Sequence, residues 1–295
     1  MNRSIEKIIQ TVNVLEGGGF PVRRPFPTDE LDQVDPFLLL DHMGPIEWGP
    51  KEAIGAPDHP HRGFETVTYL LAGETEHKDS GGHQGWLKPG DVQWMTAGSG
   101  VVHSEMPVPR FFDNGGEMHG FQIWINLPRK SKMIPPRYQD TPSEKIPEVL
   151  LKDGKSKIRV IAGEYQGTHA VIETNTPILL LHIKLQAATS VFQPVKSEYN
   201  CMAYVIDGHG LFGAGEKTKL ASEGQMLRIP IPSLSEERRV ELTKIAGRYA
   251  EEAKVAVRNV RRHTMDNLKK YEKEGEISQD EHRNYGNEVQ SLTDN

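Results

Sequence analysis

Residues 59–107 read HPHRGFETVTYLLAGETEHKDSGGHQGWLKPGDVQWMTAGSGVVHSEMP, and this stretch decides the fold. It consists of short runs rich in β-branched and aromatic residues, such as FETVTYLLAG, separated by glycines and by a Pro-Gly-Asp turn. Short strands separated by Gly and Pro are typical of a β-sandwich or a β-barrel. The same pattern extends from the N-terminus to about Arg228, so the sequence predicts a mainly β fold over that part.

A polar, proline-rich connection interrupts the β pattern at PRKSKMIPPRYQDTP, residues 128–142. Strand-like runs resume beyond it, among them KIRVIAGEY (157–165) and PILLLHIKLQ (177–186). The chain of 295 residues is long enough for two domains of ordinary size. We therefore expect a first barrel over residues 1–130 and a second copy of the same architecture over residues 131–232.

The sequence changes character near Ser233, where the strand pattern gives way to a helical one. Apolar residues then recur at three- and four-residue steps, with one gap near Thr264: Leu242, Ile245, Tyr249, Ala253, Ala256, Val260, Leu268 and Tyr271. This spacing predicts a long helix of up to about 55 Å with one apolar face. Ser233 or Ser235 would cap its start, and Ser278 with Glu281 predicts a capping box for a second, shorter helix. Residues 233–295 are thus expected to be α-helical.

Composition and charge exclude several classes of protein. The net charge of −6 gives the whole chain no strong basic field toward nucleic acid. Cys201 is the single cysteine, which rules out an intramolecular disulfide and a Cys-rich zinc site. No apolar run reaches the roughly 18 residues of a membrane span, and the N-terminus has no apolar signal-peptide core. We expect a soluble, cytoplasmic protein of a reducing compartment.

Two pairs of residues at the ends of the opening stretch predict a metal site. His59 and His61 are separated by one residue, and so are His103 and Glu105. Residues i and i+2 of a strand point to the same face, so two neighbouring strands would place three imidazoles and one carboxylate around a point. Such a ligand set with open positions suits Fe(II), with Mn, Ni, Cu or Zn as alternative occupants.

Each of these residues also has an ordinary explanation. An isolated His-x-His pair is more often part of an exposed or hydrogen-bonded turn than a metal site. His77, His83 and His119 are interpreted as surface, pocket-lining or supporting residues. Glu65, four residues after His61, is the rival carboxylate, although strand parity favours Glu105.

The opening stretch resembles the signature of the pirin family, within the cupin superfamily, and the resemblance covers about residues 1–228. It implies a double-stranded β-helix bicupin, in which two barrels face each other and only the first holds metal. It also implies that the ligands are His59, His61, His103 and Glu105, all present here. The second half has His182 and His209 but no paired motif, as expected of a metal-free copy.

The resemblance also implies a function. Pirin-like proteins are associated with quercetinase activity, the opening of a flavonol ring by O₂ with loss of carbon monoxide. The expected protein is an Fe(II)-dependent dioxygenase of the quercetin 2,3-dioxygenase type, with a small aromatic or flavonol-like substrate. Glu105 would be the catalytic base that takes the proton of the substrate hydroxyl. The alternative is a metal- and redox-sensitive regulatory protein that binds a transcription factor or an enzyme.

Residues 226–295 carry a second resemblance. The segments LSEERR, LTKI, AKVAVRNVRR and KEGEIS are similar to the helical domain of bacterial ribosome recycling factor. This implies that Arg258 and Arg261, with Arg262 beside them, lie on a face that contacts ribosomal RNA, since guanidinium groups bind phosphate bidentately. The ordinary alternative is a solvated helix face, because acidic and basic residues are about equally frequent in the tail.

Both resemblances are partial. The first helix and the β domain of the recycling factor are missing, and so are the strands that close the second pirin barrel. We therefore expect a truncated second barrel, with the apolar face of the long helix packed on it or on another chain. A natural fusion, an engineered chimera and an error of sequence assembly would each produce this junction near residues 225–232.

Overall fold

The chain folds as two compact units, Met1–Pro232 and Ser233–Asn295. This computed structural model describes residues 5–213, 219–229 and 236–293. The first unit is built mainly of β-strands and the second of two helices. The predicted mainly β fold followed by a long and a shorter helix is therefore confirmed. None of the described helices combines the length and apolar character needed to cross a membrane.

The first half of the β unit forms two antiparallel sheets. Its strands are β1 (Lys7–Gln10), β2 (Val12–Glu16), β3 (Phe20–Phe26), β4 (Phe37–Trp48), β5 (Ala56–His61), β6 (Phe64–Ala72), β7 (Thr75–Asp79), β8 (Gln84–Leu87), β9 (Val92–Thr96), β10 (Val101–Pro107), β11 (Gly116–Asn126) and β12 (Arg137–Thr141). One short helix, α1 (Pro109–Asn114), and a 3-10 turn (Arg129–Ser131) lie among them. One sheet has the order β12-β9-β6-β11-β4-β3-β2, and the other has the order β5-β10-β7-β8.

Strand β11 shows how the alternating pattern builds the core. Phe121, Ile123 and Ile125 are buried, whereas Gln122 and Trp124 on the opposite face are only partly buried. The buried face packs in a core that takes side chains from both halves of the unit. The opposite face contacts His61, one of the histidines predicted to bind metal, because the rings of Trp124 and His61 meet edge to face.

The second half contains smaller sheets. Its elements are a 3-10 turn (Ser143–Lys145), β13 (Glu148–Leu150), β14 (Lys157–Ala162), β15 (Glu164–Tyr165), β16 (Thr168–His169), β17 (Leu180–Lys184), β18 (Cys201–Tyr204), β19 (His209–Phe212), β20 (Lys219–Ser222) and β21 (Gln225–Ile229). The sheets have the orders β13-β14-β17 and β1-β21-β18, and two hairpins pair β15 with β16 and β19 with β20.

Two strands cross the domain boundary expected at residue 130. Strand β1 pairs with β21 near the other end of the unit, with Ile9 opposite Met226. Strand β12 joins the large sheet of the first half, with Asp140 opposite Gln93 of β9. The two halves therefore exchange strands, and the division into domains 1–130, 131–232 and 233–295 stays a proposal.

The second unit is a helical hairpin formed by α2 (Glu236–Glu274) and α3 (Gln279–Thr293). At about 1.5 Å per residue, the 39 residues of α2 span about 58 Å. The capping box is confirmed: the Ser278 amide donates to Glu281 Oε2 at 2.8 Å, and the Glu281 amide donates to Ser278 Oγ at 3.2 Å. The N-cap candidates Ser233 and Ser235 and the side chain of Leu242 lie outside the described residues.

The apolar face of α2 is largely exposed. Tyr249 is 51% and Val260 67% exposed, and Tyr271 is exposed as well. The helices contact each other through a hydrogen bond between His282 Nδ1 and Glu272, and through Met265 against Gly286. The partner that would cover the rest of this face stays a prediction.

Candidate metal centre

Strands β5 and β10 bring the three predicted histidines together. The strands are antiparallel, with His103 opposite His59 and Val101 opposite His61. Each imidazole offers one nitrogen, and these nitrogens lie within 4.8 Å of one another. The ring centroids are 4.6 to 4.9 Å apart. His59 and His61, two residues apart on β5, thus lie next to His103 on the neighbouring strand β10, as the sequence predicted.

The donor atoms of this group fit a metal ion. His103 is fully buried, and both of its ring nitrogens lack a hydrogen-bond partner among the described residues. A buried polar atom left unpaired costs on the order of 1–3 kcal/mol, which a bound cation would offset. His59 Nδ1 donates to the Pro57 carbonyl at 2.7 Å, so its Nε2 lone pair is available for a ligand bond.

Two of these imidazoles, those of His61 and His103, are neutral at pH 7, which is the form that binds metal. Burial is the main cause that lowers the pKa of His61 and of His103 to about 4 each. Neighbouring imidazoles lower both values further, while Glu105 raises that of His61 and Asp79 raises that of His103. At neutral pH each ring therefore has a free lone pair, as transition-metal ions require.

Glu105 lies beside the three imidazoles, although its carboxylate is not among the described side chains that form the group within 4.8 Å. The register shifts between His103 and Glu105, so that Glu105 faces Ala56 of β5. A register irregularity such as a β-bulge changes the direction in which a side chain points. Glu105 Oε1 accepts a hydrogen bond of 2.8 Å from Thr68 Oγ1, which anchors the half-buried carboxylate.

The rival carboxylate, Glu65, belongs to the wall of the first half. Its side chain is fully buried. Oε1 accepts hydrogen bonds from Thr96 Oγ1 at 2.6 Å and from Asn175 Nδ2 at 2.8 Å. Asn175 comes from the second half, so Glu65 links the two halves rather than joining the group of three histidines.

The remaining histidines of the opening stretch have other partners. His77 is buried, stacks on Tyr138 with ring centroids 5.0 Å apart, and has Nε2 3.3 Å from Asp140 Oδ2. His83 is exposed and pairs with Asp79 at 3.1 Å. Among the described residues neither belongs to the group that could hold a metal.

His119 contacts a histidine that the sequence did not single out. Its Nε2 lies 2.7 Å from Nε2 of His42, and His42 Nδ1 lies 2.8 Å from the Tyr204 hydroxyl. Burial lowers the pKa of His42 to about 3, so this ring is neutral. The three side chains form a hydrogen-bonded link between β11, β4 and β18.

An aromatic and polar lining next to the histidines was missed in the sequence. Trp124 lies 5.3 Å from His61 and 4.8 Å from Phe64, measured between ring centroids. Gln122 lies directly opposite Thr68 in the sheet, and their side-chain oxygens are 2.9 Å apart. The alternating pattern of FQIWIN places Gln122 and Trp124 on one face of the strand, so this alternation could have predicted the lining.

The three arginines predicted to contact RNA all lie on α2. Arg258 is exposed, and its Nη2 is 2.7 Å from Glu251 Oε1 on the same helix. Arg262 is exposed and Arg261 is half-buried. The charge of Arg258 is therefore partly compensated by a neighbour on its own helix, as in a solvated helix face.

Comparisons with known proteins find two families in this chain. The pirin family model matches residues 19–125, which include His59, His61, His103 and Glu105. The ribosome recycling factor family model matches residues 213–295. Both resemblances noted in the sequence are thereby confirmed.

Individual relatives match the β unit. A pirin-like protein of Solanum lycopersicum is 45% identical over 203 residues, which cover 69% of this chain and 66% of the relative. Pirin of Rattus norvegicus is 40% identical over 223 residues, covering 72% of each chain. The matched segment thus spans about two thirds of the length of these curated relatives.

A solved structure supports the fold. The quercetin 2,3-dioxygenase from Acinetobacter baumannii is 37% identical, with a TM-score of 0.65, over 78% of this chain and 80% of that one. The predicted bicupin architecture with a truncated second barrel, followed by two helices, is therefore confirmed.

Proposed function

The chain belongs to the pirin family, and we propose that its first barrel is an Fe(II)-dependent dioxygenase of the quercetin 2,3-dioxygenase type. The observation that carries the proposal is the convergence of three imidazoles, one of which has both nitrogens buried and without a hydrogen-bond partner among the described residues. The Acinetobacter baumannii relative named quercetin 2,3-dioxygenase supports the reaction class. We assign His59, His61, His103 and Glu105 as the metal ligands.

The donor set decides which ions fit. Imidazole and carboxylate donors with open positions suit Fe(II), and they also suit Mn, Ni, Cu or Zn. When bound, such an ion supplies Lewis acidity toward a substrate oxygen and a site for O₂ chemistry.

The protein side chains supply the remaining functions. Glu105 is proposed to accept the proton of the substrate hydroxyl, with Thr68 fixing the carboxylate through Oε1. Trp124 and Phe64 offer ring faces beside His61, against which a flat aromatic substrate would pack. The buried surroundings of His61 and His103 keep bulk water away from the reacting atoms.

The test measures O₂ consumption with quercetin by Fe(II)-loaded protein. We expect turnover by the native protein and its loss in His61→Ala. His83→Ala is the matched control, because His83 is an exposed histidine of the same half that lies outside the group. No turnover by loaded native protein, or equal turnover by His61→Ala, would refute the proposed activity.

Metal analysis separates binding from catalysis. Native protein should retain about one metal ion per chain and His103→Ala much less, because two imidazoles with one carboxylate bind a divalent ion more weakly than three imidazoles with it. Metal retained without turnover would favour the alternative function, a metal- and redox-sensitive regulatory protein. A partner whose capture depends on the Fe(II) or Fe(III) state would then identify that role.

The family match of the tail favours a second candidate function, contact with the ribosome. Arg258, Arg261 and Arg262 would bind phosphates of ribosomal RNA. The test is co-sedimentation of the full chain with large ribosomal subunits at low salt. Binding that weakens in Arg262→Gln would support this role, and no co-sedimentation would remove it.

A further inference from the structure

A cavity of about 540 Å³ lies in the β unit, away from the histidine group. One wall is the β13-β14-β17 sheet of the second half. The other walls come from the 3-10 turn Ser143–Lys145 and from Tyr69 and the Pro89-Gly90 turn of the first half. None of the proposed metal ligands lines it.

One face of the three-stranded sheet gives this cavity its charge. Arg159 of β14 lies opposite Glu148 of β13 and opposite His182 of β17, and Lys157 lies opposite Lys184 in the next row. Because side chains alternate along a strand, all five share one face. The opposite face carries Ile158 and Val160, which are buried in an apolar cluster. The charged face therefore lines the cavity.

Arg159 is a half-buried cation held by neutral groups. Its Nη1 donates to the Tyr69 hydroxyl at 3.1 Å, and its Nη2 donates to the Ser143 carbonyl at 3.0 Å and to Ser143 Oγ at 2.9 Å. Across the described residues, no carboxylate lies within salt-bridge distance of its guanidinium. These contacts fix the guanidinium in place without neutralising it.

His182 adds a neutral donor. Its Nδ1 lies 2.7 Å from the Tyr69 hydroxyl, which already accepts a hydrogen bond from Arg159. The hydroxyl hydrogen is therefore donated to Nδ1, and the ring proton resides on Nε2. Burial, followed by the charges of Lys184 and Arg159, lowers the pKa of His182 to about 4, so the ring is neutral at pH 7.

The acidic residues of the cavity do not balance its cations. Glu148 pairs with Lys157 at 2.7 Å. Glu144 also lines the cavity but is exposed to solvent. Lys184 has no acidic partner within 4.0 Å in the part of the chain that the structure describes. Arg159 and Lys184, diagonal neighbours about 7–8 Å apart across the strand pair, are thus both uncompensated.

We propose that this cavity binds a small anion with two negative charges on oxygen, between Arg159 and Lys184. The planar guanidinium has N–H groups left to donate, the ammonium supplies a mobile second charge, and His182 Nε2–H is a third donor. Phosphate monoesters and dicarboxylates share this chemistry, and the cavity volume admits either. The two cations of the site belong to the half of the β unit that has no paired histidine motif, and none of the proposed metal ligands lines the cavity, so it is separate from the proposed oxygenase centre.

The experiment is calorimetric titration of the full chain at low ionic strength and pH 7. Inorganic phosphate is the probe in one arm and succinate in the other. We expect saturable binding of at least one probe. Lys184→Met should weaken it at least about tenfold, the loss that one charge-assisted hydrogen bond produces. Because Lys184 is exposed, this variant preserves the fold, whereas Arg159→Met also removes the contacts to Ser143 and Tyr69.

Two controls locate the binding. Lys152→Met removes an exposed cation that does not line the cavity, and it should bind the probes as native protein does. His103→Ala should also bind them normally, which separates the cavity from anion coordination at a metal. Saturation by phosphate alone or by succinate alone would identify the ligand class. The proposal is overturned by absence of saturable binding in both arms, by native affinity in Lys184→Met, or by loss of binding in His103→Ala alone.

Discussion

Replacing His103 with leucine is expected to stabilise the metal-free protein. The His103 ring is fully buried, and neither nitrogen has a hydrogen-bond partner among the described residues. Each unpaired buried polar atom costs about 1–3 kcal/mol, and leucine of similar volume has no such atom. The two nitrogens together cost about 2–6 kcal/mol, so after up to about 1.5 kcal/mol is subtracted for imperfect packing a gain of at least about 0.5 kcal/mol remains.

The assay is urea unfolding followed by tryptophan fluorescence. All four tryptophans, at positions 48, 86, 94 and 124, lie in the first half, so the signal reports on the unit that contains the histidines. Adding metal at about 100 times its Kd should stabilise the native protein by about 2.7 kcal/mol and His103→Leu by less. The stability advantage of the variant should therefore shrink by up to about 2.7 kcal/mol when metal is added. His83→Leu, at an exposed histidine, should change neither measurement.

Two results would refute the reasoning. A metal-free His103→Leu variant less stable than the metal-free native protein would mean that the ring nitrogens have partners in solution. Equal stabilisation of both proteins by metal would mean that His103 is not a ligand.

Four further outcomes are expected. Glu105→Gln should lower quercetin turnover about 100-fold or more, because the amide cannot accept the proton, while metal analysis still finds bound ion. The pKa of His182 is lowered from 6.5 to about 4 in the folded state, so the unfolded chain takes up this proton at a higher pH than the folded chain does. The free energy of unfolding should therefore fall by about 3 kcal/mol as pH decreases from 6.5 to 4. Urea unfolding of His182→Gln should show a weaker pH dependence. Gly85→Ala would place a Cβ 2.1 Å from His77 Nε2 and should cost about 1–3 kcal/mol in the same unfolding assay. Gly247→Ala meets nothing within 4 Å on helix α2 and should stabilise the helical hairpin by about 0.5–1 kcal/mol, measured by helical circular dichroism on heating.

Local patterns explain what the sequence predicted correctly. The pairing of His59 with His61 follows from strand parity, which is a property of three consecutive residues. The capping box of Ser278 and Glu281 is equally local. The convergence of His103 on the same point required in addition that β10 pair with β5, which the family resemblance supplied.

Features that depend on distant pairing were missed. Ile9 and Met226 face each other across β1 and β21 although 217 residues separate them, and no motif marks either strand. The lining residue Thr68 acquires its role from contacts with Glu105, 37 positions away, and with Gln122, 54 positions away. The direction of the Glu105 side chain depends on an irregularity in the register between β5 and β10. The alternation of residues along a strand does not predict such an irregularity.

The two proposed sites differ in the charge of the ligand that they would bind, although each contains a buried, neutral histidine. Burial lowers the pKa of His103 and of His182 to about 4, so neither ring is charged at pH 7. Neither nitrogen of His103 has a hydrogen-bond partner among the described residues, and other imidazoles lie next to the ring, so its lone pair is available to a cation. The Nδ1 of His182 is bonded to Tyr69, and uncompensated cations surround the ring, so its Nε2–H is directed to an anion. The hydrogen-bond partner of each ring, rather than its protonation state, thus determines which kind of ligand it would bind.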